Sequence, residues 1–514
     1  MPMETRNCFV FAIGGTGSRV LRSLTHLLAA GVETKNKNTK FNIIPIIIDP
    51  HHSNDDLVRT KNLLDWYKNI KDESKPSGFF STAINTLQSI LDEAGLDLSD
   101  AYTFDLEGSS STFEDYIDYK YMSNESRDLA DLLFSGYSKD ENGKLCKLLK
   151  IKMDIGFVGN PNVGSVVLNQ IGESKIYKAF AGELVEGDRI FIISSIFGGT
   201  GAAGFPCLLK NIRNGVGGKN VELLKNATIG AITVLPYFNL DDTAGGSPIK
   251  YSDFIAKTKS ALRYYIKNVN PIVNALYYIG EMNKRKSYPN DPGYGGQKND
   301  AHFVELVGAL AIIDFLGMEE ADLKWIKDNK DKPNRPIYKE FGMIGPGTED
   351  RPCFSDFGLK HEKLLARPLS QFALFKKYMD EYFKNSAGKM DWSKESPKLD
   401  ADFTKEQFYR TYLGPFLADF WVWLVELSKN TRGFAPFVLE EGAHLCTFIR
   451  GDVVPPIKKG VFGWPFNEGH FDACLNKFKG GYSNSKEKIL NMFYKGTDML
   501  LTDHYRLGKK GVQK

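Results

Sequence analysis

The 514-residue sequence has no long apolar run, no paired-cysteine motif and no excess of charge of either sign. No stretch reaches the roughly 18 apolar residues that span a bilayer, and the segment before Cys8 carries no secretory cleavage pattern. We therefore expect a cytoplasmic protein without a membrane span. The 66 basic and 63 acidic residues leave a net charge of +3. This balance gives no nucleic-acid signature, since such a partner needs a concentrated basic surface.

The six cysteines are scattered and include no CxxC pair. In a chain of this length they indicate reduced thiols, and neither a disulfide framework nor a metal site built from protein ligands is predicted. The contents of hydrophobic residues (42%) and charged residues (25%) are ordinary for a globular protein. The length favours two or three domains.

Short apolar runs alternate with helical periodicity through the first 320 residues. Strands are predicted at 8–13, 43–48, 155–158, 189–196, 227–235 and 275–279. Helices are predicted at about 20–28, 203–212, 252–269 and 303–316, and the last is apolar nearly all round, which favours burial between layers. Strands that alternate with helices imply a parallel α/β sheet.

Two glycine clusters each follow an apolar strand and open a helix. Their residues are Gly14, Gly15, Thr16, Gly17 and Ser18 in the first, and Gly198, Gly199, Thr200, Gly201 and Ala202 in the second. A helix N-terminus offers unpaired N–H groups and partial positive charge, and glycine lets the backbone approach a phosphate. One such loop is equally typical of a tight packing turn. Two loops at the same end of parallel strands are expected to surround one polyphosphate.

Neither common nucleotide motif fits these clusters. The Rossmann fingerprint needs a third glycine where Val20 stands, and Asp49, which closes the second strand, lies later than the usual ~20 residues. A Walker A sequence is absent from both clusters. A dinucleotide-dependent oxidoreductase is therefore the least favoured alternative.

Several motifs, in order, resemble those of the tubulin/FtsZ superfamily, as a divergent prokaryotic or phage tubulin-like protein would. They are IGGTGS at 13–18, VGNPNVG at 158–164, FGGTGAAG at 197–204 and TIGAITVLPYF at 228–238. The resemblance covers about residues 8–320. It implies a tubulin/FtsZ-like α/β domain that binds GTP or GDP with Mg²⁺.

The resemblance also implies site residues. The two glycine clusters would hold the α- and β-phosphates, and Gly159 and Asn160 would face the γ-phosphate. The cofactor-binding residues implied besides these are Asp49, Pro236 near the ribose, and Asn299, His302 and Phe303 near the base and ribose. Arg19 stands where the family has an asparagine that contacts guanine.

In this family, hydrolysis occurs between head-to-tail subunits, at an acidic loop after the central helix. Glu319 and Asp322 occupy the two acidic positions here and are the predicted catalytic residues. Asp300, His302 and Glu305 show the same spacing and remain an alternative, as does a plain solvated turn.

The domain plan follows from these motifs. We expect a nucleotide-binding domain at 1–298 with an insertion at about 53–150, a central helix at 299–317, and a largely helical C-terminal domain with a basic tail at 318–514. Helices are predicted at 364–383, 406–428 and 489–494, and strands only at 434–439 and 445–450. The expected function is a GTP-binding protein that self-assembles and hydrolyses GTP. The alternative is a non-polymerising, nucleotide-dependent scaffold or sensor whose C-terminal domain binds a partner protein.

Overall fold

The computed structural model describes residues 3–33, 36, 38–91, 98, 100, 102–104, 106–140, 142, 144–157, 159–218, 220–241, 251–281, 286–289, 298–323, 336–339, 352–354, 362–450, 457–459, 462–464 and 466–505. The strands in these ranges are β1 (Glu4–Ile13), β2 (Thr39–Ile48), β3 (Tyr137–Lys139), β4 (Leu145–Lys147), β5 (Arg189–Ser195), β6 (Thr228–Val234), β7 (Asn239–Asp241), β8 (Ala275–Ile279), β9 (Ser287–Pro289), β10 (Ile337–Lys339), β11 (Ile457–Lys459) and β12 (Phe462–Trp464).

The α-helices are numbered in the same way. They are α1 (Gly14–Ala29), α2 (Asp55–Ser74), α3 (Phe113–Tyr116), α4 (Asn124–Leu133), α5 (Pro161–Leu168), α6 (Lys175–Glu183), α7 (Gly199–Arg213), α8 (Val221–Asn226), α9 (Tyr251–Asn268), α10 (Phe303–Gly317), α11 (Glu320–Leu323), α12 (Arg367–Glu381), α13 (Phe383–Ser386), α14 (Asp391–Lys394), α15 (Gly414–Lys429), α16 (Glu468–Asn476) and α17 (Ser485–His504). Two π-helical segments, Glu362–Ala366 and Phe408–Leu413, precede α12 and α15.

A six-stranded sheet with the order β10-β8-β6-β5-β1-β2 forms the centre of the fold. Each neighbouring pair is parallel, so the predicted parallel α/β sheet is confirmed. Strand β5 is buried along its whole length, as expected of a strand covered by helices on both faces.

The two faces of the sheet carry separate layers of apolar side chains. Along β1, Cys8, Val10 and Ala12 join the core that contains α1 and α10, while Phe9 and Phe11 join the core that contains α5, α6 and α7. This alternation follows from the two-residue period of a strand. Helix α10 is buried nearly all round, which confirms the predicted buried central helix, although residues 299–302 of the predicted range precede the helix.

The C-terminal part is built mainly from helices that pack through aromatic rings. Phe372 of α12 contacts Phe420 of α15 with ring centroids 4.8 Å apart, and Trp423 stacks on His26 of α1 at 4.9 Å. The predicted helical C-terminal part is confirmed, and it packs directly on the helix that follows the first glycine cluster. Within the described ranges, no helix has both the length and the apolar character to cross a membrane.

Three predicted strands are wrong. Residues 153–155 form a 3₁₀ turn, and Gly156 has a φ of +78°, which an extended strand does not allow. In place of strands at 434–439 and 445–450 there is one isolated bridge between Phe437 and Ile449. Pro436 lacks the N–H group that a ladder needs. The helix predicted at 489–494 extends over the whole of α17.

Candidate functional site

The two glycine clusters lie side by side at the carboxyl ends of β1 and β5, which are neighbours in the sheet. A Cβ atom built on Gly14 would lie 3.3 Å from the Cβ of Thr200 and 3.6 Å from the backbone nitrogen of Gly201. Gly14 has a φ of +69°, a conformation that glycine adopts without a steric penalty. The N-termini of α1 and α7 therefore meet at one point of the sheet edge.

A third loop joins this pair. A Cβ atom on Gly199 would lie 3.0 Å from the backbone nitrogen of Asn160 and 3.1 Å from that of Gly159. Asn160 immediately precedes α5, and Lys257 of α9 donates a hydrogen bond of 2.5 Å to the carbonyl of Gly159. Three helix N-termini, each with a partial positive charge, thus lie together.

The glycines in these loops serve two different purposes. A Cβ on Gly17 would lie 2.6 Å from the carbonyl carbon of Ala12, and one on Gly201 would lie 2.7 Å from the carbonyl oxygen of Ser195. These two glycines are needed for close packing of helix on strand. A Cβ on Gly15 would meet only the Asn54 amide nitrogen at 4.0 Å. The half-buried residues of the two clusters, which line the accessible surface, are Gly15, Thr16, Gly198, Thr200 and Ala202.

Asp49 stands directly after β2, one strand away from the first glycine cluster. Its carboxylate is 3% exposed and accepts a hydrogen bond of 3.1 Å from the backbone N–H of His51. Burial raises the pKa of Asp49 to about 7, against the lowering effect of that N–H. At neutral pH this buried carboxyl group is therefore present in both its protonated and its ionised form.

His302 and Phe303 lie at the start of α10. The Nδ1 atom of His302 accepts a hydrogen bond of 3.0 Å from the N–H of Val304, and the ring lies 5.1 Å from that of Tyr237. Burial lowers the pKa of His302 to about 3, so the imidazole is neutral, as an acceptor at Nδ1 must be. Phe303 is buried and contacts Phe434.

A buried ionic network under the same edge was not predicted. Arg19 Nε donates to Glu305 Oε1 at 2.6 Å, and the hydroxyl of Tyr237 donates to the same oxygen at 2.9 Å. A second nitrogen of Arg19 lies 3.2 Å from a carboxylate oxygen of Asp56. Nearby acids keep the pKa of Arg19 high although burial opposes this. The sequence signal for this network was Glu305, one of two acids, with Asp314, in an otherwise apolar helix.

This network also fixes the backbone before α10. Arg19 donates to the carbonyl oxygens of Asn299 at 2.9 Å and Asp300 at 2.6 Å. The position where an asparagine was expected to contact guanine thus holds a guanidinium group that is already bonded on several sides. Pro236 is buried after β6, and its carbonyl accepts from the N–H of Glu281 at 3.3 Å.

The structure does not bring Glu319 and Asp322 to the glycine loops. Arg189, the first residue of β5, donates to the carbonyl of Met318 at 2.7 Å. Both acids therefore lie at the amino edge of the sheet, separated from the loops by the length of α10. That helix has 15 residues and is about 22 Å long. Asp322 is exposed and Glu319 is half-buried.

No protein-family model and no curated relative matches the chain. Among solved structures, the chain is similar to CetZ2 from Haloferax volcanii in a GTPγS-bound protofilament, with 12% identity over 54% of this chain and 49% of that chain, at a TM-score of 0.26. It is also similar to CetZ from Methanosaeta thermophila strain DSM 6194, with 13% identity over 54% and 46% of the two chains, at a TM-score of 0.22. The chain thus matches about half the length of each. Both are tubulin/FtsZ-like structures, and similarity at this level concerns the fold alone.

Proposed function

We propose that this chain binds GTP in the space bordered by the loops 14–18, 159–160 and 198–202, and that it acts in the cytoplasm. The observation that carries the proposal is the contact between these loops, in which the Cβ position of Gly14 lies 3.3 Å from Thr200. Three helix N-termini at one point favour a ligand with several negative charges. A nucleoside triphosphate has that charge, and the glycines leave room for its phosphates.

The residues present fit a phosphate chain with its magnesium ion. The Ser18 hydroxyl is fully buried and has no hydrogen-bond partner among the described atoms; a group left in that state costs about 1–3 kcal/mol. No group of three or more His, Cys, Asp or Glu side chains in the described ranges could hold a metal. Magnesium would therefore be held mainly by the phosphates, as is usual for this ion, with Asp49 as the nearby carboxylate.

Hydrolysis would occur where two copies meet head to tail. Glu319 and Asp322 lie at the edge of the sheet opposite the glycine loops, so only a second copy can place them on a bound nucleotide. A carboxylate in that position would orient the attacking water. A contact between opposite ends of identical molecules gives a filament when its rotation does not close into a ring.

Mass spectrometry of the nucleotide released from purified protein tests the first part. GTP or GDP is the expected result, and NAD(P) would overturn it. Phosphate release over a protein concentration series tests the second part. The rate should rise faster than linearly, whereas strict proportionality contradicts hydrolysis at subunit contacts. Nucleotide binding without turnover or sedimenting polymer would replace this function by that of a nucleotide-dependent scaffold.

A further inference from the structure

Helix α4 exposes the face that an amphipathic helix normally buries. Leu132 is 73% exposed, and Leu129 and Leu133 are each more than half exposed. Their spacing of three and four residues places them on one side of the helix. Ala130 is the buried residue of α4. The apolar side of this helix is therefore exposed to solvent, whereas such a face normally packs against another apolar surface.

The hairpin that follows α4 continues this surface. Tyr137 and Leu145 are each more than half exposed, and Tyr137 pairs directly with Lys147 across the β3–β4 ladder. Residues directly opposite in an antiparallel pair share a face, and alternate residues along a strand do as well. Tyr137, Leu145 and Lys147 thus project from one side, while Ser138 on the other side is buried. We call Leu129, Leu132, Leu133, Tyr137 and Leu145 the α4–hairpin surface.

This surface is carried by an ordered part of the fold. Phe134, at the end of α4, packs against Phe113 with ring centroids 4.8 Å apart. The hydroxyl of Tyr119 donates to Asp131 at 2.9 Å, and the carbonyl of Gly136 accepts from Leu148 at 3.0 Å. The exposed leucines are therefore held in place and do not belong to a fraying end.

The charges around the surface are divided between its two halves. Helix α4 carries the exposed acids Glu125, Asp128 and Asp131, whereas the hairpin carries the exposed bases Lys144 and Lys147. A two-fold axis that places α4 of one copy on the hairpin of another brings acid to base twice. A contact of this kind is self-complementary.

We propose that the α4–hairpin surface joins two copies of this chain through such a two-fold contact. One short helix and one two-stranded hairpin provide a small contact area, and small interfaces are typical of transient association. The contact is therefore weak and reversible. It differs from the head-to-tail contact proposed above, because it involves neither the glycine loops nor Glu319 and Asp322 and needs no nucleotide.

Sedimentation equilibrium of the full chain, stripped of nucleotide and held in EDTA, tests this proposal. The wild type should form dimers with a Kd on the order of 10–100 μM. Leu132→Glu should raise that Kd by about tenfold or more, because it places a charge in the apolar contact. Ile266→Glu is the matched control, since Ile266 is similarly exposed on α9, and it should leave the Kd unchanged. A wild type that stays monomeric through this range, or equal losses in both variants, would overturn the proposal.

A charge exchange tests the two-fold geometry itself. Asp128→Lys and Lys147→Glu should each weaken self-association by about tenfold, because each change enters the dimer twice. An equimolar mixture of the two variants should associate more tightly than either alone, since each new lysine then faces a new glutamate. A mixture no tighter than the separate variants excludes this pairing. Because nucleotide is absent, these outcomes do not depend on whether the chain hydrolyses GTP.

Discussion

The two edges of the central sheet differ in how their polar groups are held. At the carboxyl edge, Asp49, His302 and Arg19 are buried and bonded in place. At the amino edge, Asp322 is exposed on the short helix α11. Helix α10 joins the two, and its first residues share in the buried network while its end leads to the exposed acids. One edge is thus fixed by contacts within a single chain, whereas the other presents exposed acids to solvent.

The largest expected effect comes from the exposed edge. Asp322→Ala should slow phosphate release by about a hundredfold or more, which is typical for the loss of a general base. The affinity for GTP should not change, because Asp322 and the loops lie at opposite ends of α10, a helix about 22 Å long. Steady-state phosphate release and equilibrium dialysis measure the two quantities. Glu320→Ala is the control, since Glu320 is exposed on the same turn. A loss of GTP affinity in Asp322→Ala would contradict the placement of this acid away from the nucleotide of its own copy.

Mixing two inactive variants sharpens this test. Gly15→Trp fills the space of the first glycine loop, where the nearest neighbour of a Cβ is 4.0 Å away, and so should block the nucleotide. If the site is shared between copies, mixing this variant with Asp322→Ala should restore part of the activity. No recovery in mixtures that still co-sediment contradicts a shared site.

The second prediction separates the two kinds of glycine at the carboxyl edge. Gly17→Ala should destabilise the fold by about 3 kcal/mol, because its methyl group would lie 2.6 Å from the backbone of Ala12. Gly15→Ala should leave stability within about 0.5 kcal/mol but weaken GTP binding, because its methyl group enters open space. Urea unfolding and nucleotide titration measure the pair. Equal stability of the two variants would show that the loop does not pack as described.

The features that the sequence predicts are those with a local cause. The glycine loops and α10 depend on short-range patterns, namely an apolar run before glycine and an apolar helix with no polar face. The network of Arg19, Glu305 and Tyr237 joins positions up to 286 residues apart, so only the complete fold brings them together. The strand around Phe437 was predicted from its apolar run, and that prediction did not take account of the neighbouring Pro436.

The third prediction concerns the cost of burying Asp49. Its pKa is raised from 3.8 to about 7, so between these pH values the folded protein holds a proton that the unfolded chain releases. Stability therefore falls as the pH rises from about 4 to 7, and the full cost of the buried charge is present above pH 7. Asp49→Asn should gain roughly 2 kcal/mol over the wild type at about pH 8, and less at about pH 5. Urea unfolding without nucleotide measures this difference. A gain independent of pH would mean that the carboxyl group is not the titrating group.

The smallest effect is expected at His302, where the stability of the fold depends on pH in the opposite direction from that at Asp49. Burial lowers the pKa of His302 from 6.5 to about 3. Between these pH values the unfolded chain binds a proton that the folded protein does not bind, so stability falls as the pH falls below 6.5. His302→Asn keeps an acceptor for the N–H of Val304 but loses the ring contact with Tyr237. We expect the variant to be less stable by about 1 kcal/mol at pH 7. By about pH 5 it should be no less stable than the wild type, because asparagine does not titrate. If the difference in stability between the two proteins stays the same across this range, the ring of His302 is accessible to protons. The start of α10 would then be as exposed to solvent as the loop at its other end.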